Sequence, residues 1–482
     1  MAPSAIDLTE ASPQDFIHPD DLRTKFSSAM SVMYRNEVPL YGDLIRVVES
    51  VNAETLRESM DPKITAIRNG DIASERLHLE RHGAIRLGTE QELQTIRRVF
   101  AIIGLFPVGY YDLSIAGLPM HATCFRPTSL SALERNPFRV FTTLLRPALL
   151  KDAEARDLAT TLLSKRNIFS PELMKLLDAT ERQNNKLRSC DAEVFVQEAM
   201  KIFGWRPVAA APKAVYQKLK EEHPILADIA CFHTAHINHL TPRTLNIVAA
   251  QDQMKAEGLQ IKERIEGPPF RRCPVLLRQT SFLALEESIN FPGDGFLEKG
   301  HHRARFGEIE ERGAAVTDKG RALYDELLYD AMKKISNSSL DMNASQKDNI
   351  LADTFASFPD TWDELRRQGL AYFTFHPSAS AKEATIPAAA SLDDLVSRGI
   401  VLAEPITYED FLPLSAAGIF QSNLSDSRKA KKCPIKALPD QVGLERALGC
   451  RVTDVNRAYA EAQERSLRKC AVQLGLAEGA FI

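Results

Sequence analysis

Two distant stretches of the chain follow the same plan, and this duplication limits the possible folds more than any other feature of the sequence. The first is "ERHGAIRLGT" and the second is "HINHLTPRTLN". In both, a histidine is followed four positions later by an arginine and seven positions later by a residue that can cap a helix. These residues are His82, Arg86 and Thr89 in the first copy, and His239, Arg243 and Asn246 in the second. The repeat predicts two modules of one architecture.

Another histidine, His78, lies four positions before His82, just ahead of the first stretch, so two structures must be weighed. In a helix the two imidazoles would share one face, as in the zinc-protease pattern H-E-x-x-H. Here the glutamate stands at the wrong position for that mechanism. A helix start follows instead, because Thr89 and Glu92 form a capping box before an apolar periodicity that stops at Gly104. We therefore predict that the histidines lie in a strand and that a helix begins after Thr89.

Strand-like segments follow the predicted helix in both copies. They are "YYDLSIAG", "MHATCFRP" and "FRVFTTLLRP" in the first copy, and "IKERIEG", "VLLRQTSFLALE" and "ARFGEIEERG" in the second. Each copy is thus predicted to be a β-α-β-β-β module. The predicted fold class is α+β, with the two modules side by side in an incomplete barrel.

The remaining segments are mainly helical in pattern, which predicts five parts of the chain. These are an N-terminal helical segment (1–70), the first module (71–147), a helical insertion (148–232), the second module (233–318) and a C-terminal helical and irregular region (319–482).

Side chains on one face of a strand recur with period two, so the inner face of the barrel can be predicted. Aligning the closing strands of the two modules puts Thr142 opposite Glu308, and a carboxylate therefore occurs in only one copy. The inner face would receive His82, His239 and Glu308. Two histidines and one carboxylate with open positions are typical of non-heme Fe(II) enzymes that use oxygen.

Two of these ligands have plainer interpretations. His82 alone could be a hydrogen-bonded core or surface histidine. Glu308 has Glu310 and Glu311 as neighbours, and a solvated strand face could explain all three.

The second ligand has rivals in His233 and His236. His239 has the strand parity of Arg243, whereas His236 does not. Pro242 could mark an edge or a bulge and disturb that parity. The pattern favours His239 but leaves His236 open.

Composition excludes several classes of function. The chain has 482 residues, is 44% hydrophobic and carries a net charge of −4, which argues against a nucleic-acid surface. Its seven cysteines are scattered singly and favour a reducing compartment. The N-terminus resembles neither a secretory signal nor a transit peptide, and no apolar run is long enough for a membrane span. We expect a cytoplasmic protein without a nucleotide cofactor, since no phosphate-binding glycine motif is present.

Longer phrases of the sequence resemble a known family. The paired modules resemble the vicinal oxygen chelate superfamily, and "FGEIEERG" is similar to the segment in which 4-hydroxyphenylpyruvate dioxygenase places its iron-binding glutamate. Five phrases together resemble the 2-oxoadipate dioxygenase/decarboxylase family, also called 2-hydroxyglutarate synthase. They are "ERHGAIRLGT", "FPVGYYDLS", "HINHLTPRTL", "FGEIEERG" and "LPLSAAGIFQSNL".

The resemblance implies roles for particular residues. The ferrous ligands of the family fall on His82, His239 and Glu308. The arginine that binds the distal carboxylate of the substrate falls on Arg86, with Arg243 as a rival for this role. Another substrate contact falls on Ser415, in a loop (411–424) that the C-terminal region supplies. The preceding residue, often valine in the family, is Leu414 here. Tyr110 and Tyr111 can equally pack or contact substrate.

The resemblance also implies an activity: an Fe(II)-dependent enzyme that uses O2 to convert the small 2-oxo dicarboxylate 2-oxoadipate into 2-hydroxyglutarate and CO2, in lysine breakdown. The first alternative is a glyoxalase-type lyase or isomerase. Such sites generally use four protein ligands, and Thr142, which stands where a second carboxylate would be needed, argues against this alternative. The second alternative is a non-catalytic binding protein on the same modules, a class that usually lacks the complete metal triad.

Overall fold

The computed structural model describes residues 15–60, 62–69, 74–293, 297–337, 342–382, 384–387, 390–412 and 438–481. Over these residues the chain is an α+β protein with a five-stranded mixed sheet, as the predicted fold class requires. The helices are α1 (Pro19–Glu37), α2 (Pro39–Glu58), α3 (Pro62–Asn69), α4 (Ser74–Leu79), α5 (Glu90–Ile102), α6 (Leu130–Arg135), α7 (Ala153–Lys165), α8 (Pro171–Arg182), α9 (Ala192–Phe203), α10 (Lys213–Glu222), α11 (Pro224–Ala230), α12 (Ile247–Ala256), α13 (Asp318–Ser336), α14 (Ala344–Thr354), α15 (Trp362–Arg367), α16 (Leu392–Ser397), α17 (Gln441–Leu448) and α18 (Val455–Gln473). The strands are β1 (Arg81–Leu87), β2 (Phe106–Asp112), β3 (Met120–Arg126), β4 (Arg139–Leu145), β5 (Leu240–Pro242), β6 (Leu277–Ser281), β7 (Glu286–Pro292), β8 (Leu297–Arg303), β9 (Glu308–Arg312), β10 (Phe373–Pro377) and β11 (Val401–Pro405).

The five-stranded sheet has the order β2-β3-β4-β1-β5. Strands β1 and β4 are parallel, and the other neighbours are antiparallel. The first four strands and α5 have the predicted β-α-β-β-β order. Strand β5, from the second copy, pairs with β1 and brings Thr241 opposite His82.

The second copy is less regular than predicted. Strand β9 pairs antiparallel with β6, and a parallel bridge joins Arg243 to Glu310. The hairpin β7–β8 lies between β6 and β9 in sequence and was not predicted. The segment "IKERIEG" makes isolated bridges at Ile261 and Glu266 instead of the predicted strand. The incomplete barrel stays a prediction.

The N-termini of the two repeated helices lie where local signals in the sequence predicted them. Helix α5 begins after Thr89 with a complete capping box, and Asn246 caps α12 by accepting a hydrogen bond from the Ala249 backbone. Gly104 and Gly258 follow these helices with φ of 71° and 80°, a conformation that glycine adopts without strain.

One local prediction is wrong. His78 lies in the short helix α4 and is exposed, not in the strand that carries His82. The chain changes from helix to strand between the two histidines, so their four-residue spacing does not bring them to a common face.

The helical parts surround the sheets. Residues 148–232 contain α7 to α11, and the C-terminal region adds the hairpin β10–β11, which was not predicted, to its helices. The exact division into five parts stays a prediction. Across the described residues, each helix is too short or too polar to cross a bilayer.

Candidate metal centre

Three side chains predicted to meet do lie together. His82 belongs to β1, His239 immediately precedes β5, and Glu308 begins β9. The Nε2 atom of His82 is 3.0 Å from Glu308 Oε2, and the Nε2 atom of His239 is 3.7 Å from the same oxygen. Two contacts place these residues together: β5 pairs with β1, and Arg243, the residue after β5, makes a bridge to Glu310 of β9.

All three groups are buried, with exposed fractions of 1% for His82, 4% for His239 and 0% for Glu308. The ring of His239 stacks on Phe306 at 4.7 Å, and the ring of His82 meets Phe411 edge-on at 4.8 Å. Because apolar rings pack against both imidazoles, their orientations are fixed and bulk water is kept away.

A second layer of polar groups holds the three side chains. Glu310 Oε2 lies 2.8 Å from His82 Nδ1. Thr241 Oγ1 and Gln279 Nε2 donate hydrogen bonds of 2.9 Å and 3.0 Å to Glu308 Oε2. Outer carboxylates and hydroxyls of this kind fix the orientation and tautomer of metal ligands.

The charges around the site have opposing effects on its pKa values. Burial lowers the pKa of His82, but the carboxylates of Glu310 and Glu308 outweigh burial and raise it above its ordinary value. Burial lowers the pKa of His239 to about 3, and the positive charge of Arg86 contributes to this shift. Burial raises the pKa of Glu308, but the two histidines outweigh this effect and hold it below its usual range. Glu308 is thus an ionised carboxylate and His239 a neutral imidazole, which are the forms of these groups that bind metals.

The donor set fits a divalent transition metal. One donor atom from each of His82, His239 and Glu308 can be chosen so that all three lie within 4.8 Å of one another. Two bonds of about 2.1 Å to one ion can join donors up to about 4.2 Å apart, which includes the two distances to Glu308 Oε2. Among the described residues, Glu308 Oε1 is buried without a hydrogen-bond partner, and a bound cation would satisfy it.

The rival histidines lie elsewhere. His233 is exposed. His236 is buried, but its Nε2 atom lies 3.1 Å from Asp228 Oδ1, in a separate cluster with His302. The histidine that lies beside His82 is therefore His239, the one that the parity argument favoured, with ring centroids 5.4 Å apart. Its role as the second metal ligand stays a prediction.

Arg86 projects from β1, the strand that also carries His82. Its guanidinium is buried, and its Nη1 atom lies 2.5 Å from Asp228 Oδ2. No local pattern predicted this partner, Asp228, which belongs to α11 of the helical insertion. Its assignment as the substrate-carboxylate ligand stays a prediction.

Arg243, the repeat counterpart of Arg86, has a different environment. Its Nη1 atom lies 2.9 Å from Glu80 Oε2. Glu80 is fully buried and also pairs with Arg139. The two repeated arginines are therefore held by separate carboxylates.

The C-terminal region reaches the site through Phe411, whose ring contacts His82. Tyr111 accepts a hydrogen bond from the Phe411 backbone, and Tyr110 accepts one from the Asp440 backbone, so both tyrosines join distant segments. The predicted substrate contacts Leu414 and Ser415 lie outside the described residues.

Some residues of the site were not recognised in the sequence. Glu310 is fully buried, whereas a solvated strand face was one interpretation of its segment. Period-two alternation from Glu308 could have identified it. Gln279 and Asp228 come from distant elements, and no local pattern marks either residue.

Comparisons with known proteins agree on one family. The family model described as 2-oxoadipate dioxygenase/decarboxylase matches residues 26–423. The 2-oxoadipate dioxygenase/decarboxylase of Escherichia coli (strain K12) is 46% identical over 455 residues, which cover 94% of this chain and 98% of the relative. The protein of that name from Pseudomonas putida is 46% identical over 464 residues, covering 96% and 98%. The crystal structure of the hydroxyglutarate synthase in complex with 2-oxoadipate from Pseudomonas putida has a TM-score of 0.86 and 45% identity, covering 96% of this chain and 100% of that one.

Proposed function

This chain belongs to the 2-oxoadipate dioxygenase/decarboxylase family, and from this premise we propose that it converts 2-oxoadipate and O2 into 2-hydroxyglutarate and CO2, with Fe(II) as its cofactor. The observation that carries the proposal is the convergence of His82, His239 and Glu308 in one buried site. Two imidazoles and one carboxylate leave positions open for substrate on a ferrous ion.

In this proposal His82, His239 and Glu308 hold the iron. A ferrous ion bound there would supply Lewis-acid and redox chemistry toward a 2-oxo acid and O2. Glu310 Oε2 lies 2.8 Å from the Nδ1 atom of His82, and the Nε2 atom of the same ring faces Glu308. The burial of all these groups excludes bulk water from the reacting atoms.

Arg86 is the proposed ligand of the distal carboxylate. A guanidinium suits this role because it can bind a carboxylate through two parallel hydrogen bonds. It lies close enough to the site for its charge to lower the pKa of His239, after the larger effect of burial. Leu414 and Ser415 are proposed contacts at the other end of the substrate.

The proposed reaction balances without a further reductant. The C1 carboxylate of 2-oxoadipate leaves as CO2, and its electrons reduce O2 together with those of one C–H bond. The keto carbon becomes the new carboxylate, and the adjacent carbon takes the hydroxyl group. Both atoms of O2 thus enter 2-hydroxyglutarate. We further propose that the reaction takes place in the cytoplasm, as a step of lysine breakdown.

The test starts under anaerobic conditions. The chain is loaded with Fe(II) and mixed with 2-oxoadipate, and O2 is then admitted while O2 uptake, CO2 and 2-hydroxyglutarate are measured. The expected result is equal amounts of all three, with both atoms of labelled O2 in the hydroxy acid. A His82→Ala variant should lose this activity together with its bound iron.

Two other outcomes would contradict the proposal. Turnover before O2 is admitted would indicate a glyoxalase-type lyase. Tight binding of 2-oxoadipate without turnover in either condition would indicate a binding protein.

A further inference from the structure

A buried carboxylate, Asp228, joins the helical insertion to the predicted substrate arginine. Its Oδ2 atom lies 2.5 Å from Arg86 Nη1. Its Oδ1 atom lies 3.1 Å from His236 Nε2 and 2.8 Å from His302 Nε2. The Tyr216 hydroxyl lies 2.9 Å from the other nitrogen of His302. These five side chains, here called the Asp228 cluster, come from β1, α10, α11, β8 and the segment before β5.

The protons of the cluster can be assigned from its geometry. Both imidazoles donate from Nε2 to Asp228, and the Tyr216 hydroxyl then donates to Nδ1 of His302. Burial alone would raise the pKa of Asp228, but Arg86 and His236 hold it well below its usual range. An ionised Asp228 therefore accepts three hydrogen bonds, and it can move little because each donor is itself packed in the interior.

Aromatic packing limits movement of the histidines. Trp205 stacks on His302 with ring centroids 5.8 Å apart and meets His236 edge-on at 4.7 Å. The guanidinium of Arg305 also lies over the Trp205 ring, 4.8 Å from its centroid. The cluster is thus a rigid support and not a flexible surface contact.

We propose that Asp228 is a positioning residue that aims Arg86 at the distal carboxylate of the substrate. This inference rests on the proposed function. A long arginine side chain has many rotamers, and binding a carboxylate in one geometry requires that most of them be excluded beforehand. Asp228 fixes one arm of the guanidinium fork, and the fork is planar and rigid, so its other donors acquire a set direction.

The proposal gives the helical insertion a role in specificity. Asp228 lies in α11 and Tyr216 in α10, both within the insertion. Arg86 belongs to the five-stranded sheet. The insertion would therefore determine preference for a dicarboxylate, while the strands and the segments leading into them carry the metal-ligand candidates.

The same three groups, Asp228, His236 and His302, could also hold a metal ion by their types and spacing. The contact with Arg86 argues against this. A divalent cation on Asp228 would place two further positive charges beside a guanidinium that shares the carboxylate. One metal ion per chain is expected.

The test compares two substrates of equal carbon chain. 2-Oxoadipate ends in a carboxylate, and 2-oxohexanoate ends in a methyl group. Their dissociation constants are measured anaerobically by calorimetry on the Fe(II)-loaded chain, and KM and kcat are then measured in O2. Asp228→Asn keeps the shape but removes the charge. It should weaken binding and raise KM for 2-oxoadipate by about tenfold or more, with little change for 2-oxohexanoate.

Control variants separate positioning from folding. Asp157→Asn changes an exposed carboxylate of the same insertion and should leave both constants unchanged. His302→Phe removes one donor to Asp228 while keeping an aromatic ring against Trp205, and it should also lower the preference for 2-oxoadipate. If Asp228→Asn does not fold, the His302→Phe variant tests whether Asp228 positions Arg86.

Three results would overturn the inference. The first is that Asp228→Asn keeps the preference for 2-oxoadipate over 2-oxohexanoate while Arg86→Ala loses this preference. The second is an equal loss for both ligands, and the third is two metal ions per chain. Failure of the proposed function can be distinguished from failure of this inference. In that case the unsubstituted chain would still bind 2-oxoadipate preferentially under anaerobic conditions but would show no turnover in O2.

Discussion

Glu310 links the candidate metal centre to the rest of the interior. One of its oxygens faces His82 at 2.8 Å, and Arg312 donates to both of its oxygens at 2.8 Å. Arg139 adds a further contact at 3.1 Å. Burial raises the pKa of Glu310, but these cations outweigh it and keep the pKa far below its usual range. A fixed anion therefore stands behind His82.

We predict that Glu310→Gln weakens Fe(II) binding about 10–100-fold, because the neutral amide orients and polarises His82 less effectively. Metal affinity is measured by competition with a chelator, and the thermal midpoint is followed to exclude loss of fold. Glu311→Gln is the matched control. Glu311 is the next residue of β9 and accepts instead from the Ile247 backbone, so its variant should bind iron normally. Normal affinity in Glu310→Gln would contradict the prediction.

Arg86 and Arg243 give a second residue-scale prediction. Arg86→Ala should raise KM for 2-oxoadipate about 10–100-fold for each charge-assisted hydrogen bond lost, while bound iron stays unchanged. Arg243→Ala should leave KM unchanged and lower the thermal midpoint, because it leaves the buried Glu80 with one cation fewer. Equal loss of iron and activity in Arg86→Ala, or a raised KM in Arg243→Ala, would contradict these roles.

The candidate site could be predicted from sequence where the cause is local. Strand alternation favoured His239 over His236 as the histidine beside His82, and it would also have indicated Glu310. The partner of Arg86 could not be predicted, because Asp228 reaches it through folding of an insertion and no periodic pattern relates the two positions.

At the scale of elements, helix termini were predictable and strand boundaries were not. The capping box of Thr89 and the cap of Asn246 are chemical signals that act within one turn. The hairpin β7–β8 was missed because β8 is mostly exposed and polar, and because the apolar alternation of β7 is limited to Ile289 and Phe291.

Helix α1 supports the segments that carry two of the metal-ligand candidates. The hydroxyl of Tyr34, on α1, lies 2.9 Å from the Asn238 carbonyl oxygen and 2.7 Å from that of Phe306. Asn238 precedes His239, and Phe306 lies two residues before Glu308. One buried hydroxyl thus connects the approaches to both ligands.

We predict that Tyr34→Phe lowers the free energy of unfolding by about 1–3 kcal/mol, because a buried carbonyl loses its donor. The measurement is urea denaturation of the metal-free chain. Tyr41→Phe is the control, since the Tyr41 ring packs against Tyr34 but its hydroxyl is 3.5 Å from Ser31 Oγ, too far for a strong hydrogen bond. Equal effects of the two variants would show that the carbonyl contacts are not the cause.

At the scale of the whole molecule, a buried ion network joins the C-terminal region to the first module. Glu409 and Asp410 lie just before Phe411, which contacts His82. Glu409 pairs with Arg76 and Arg139, and Asp410 pairs with Arg126. The network also includes Glu80, Arg243, Glu310 and Arg312. The pairs that reach the C-terminal region could not be predicted from sequence, because Glu409 lies 333 positions from Arg76 and 270 from Arg139.

This network predicts how stability depends on pH. Burial raises the pKa values of Glu80 and Glu409, but the surrounding arginines outweigh burial and hold both below their ordinary range. The unfolded chain therefore takes up protons at a higher pH than the folded chain does. The stabilisation is fully present above pH of about 5 and is lost as pH falls through the folded pKa values, by about 1.4 kcal/mol per pH unit for each such group.

We expect the thermal midpoint of the metal-free chain to fall steeply from pH 5 to pH 3.5. Glu409→Gln should lower the midpoint at pH 7, since it leaves buried arginines with one anion fewer, and should flatten the acid slope because one titrating group is gone. Glu404→Gln, which changes an exposed carboxylate of β11, should alter neither. An unchanged acid slope in Glu409→Gln would mean that Glu409 does not couple protonation to folding. The C-terminal region would then be held beside His82 by the Asp410–Arg126 ion pair and by the contacts of Phe411 with His82 and Phe141.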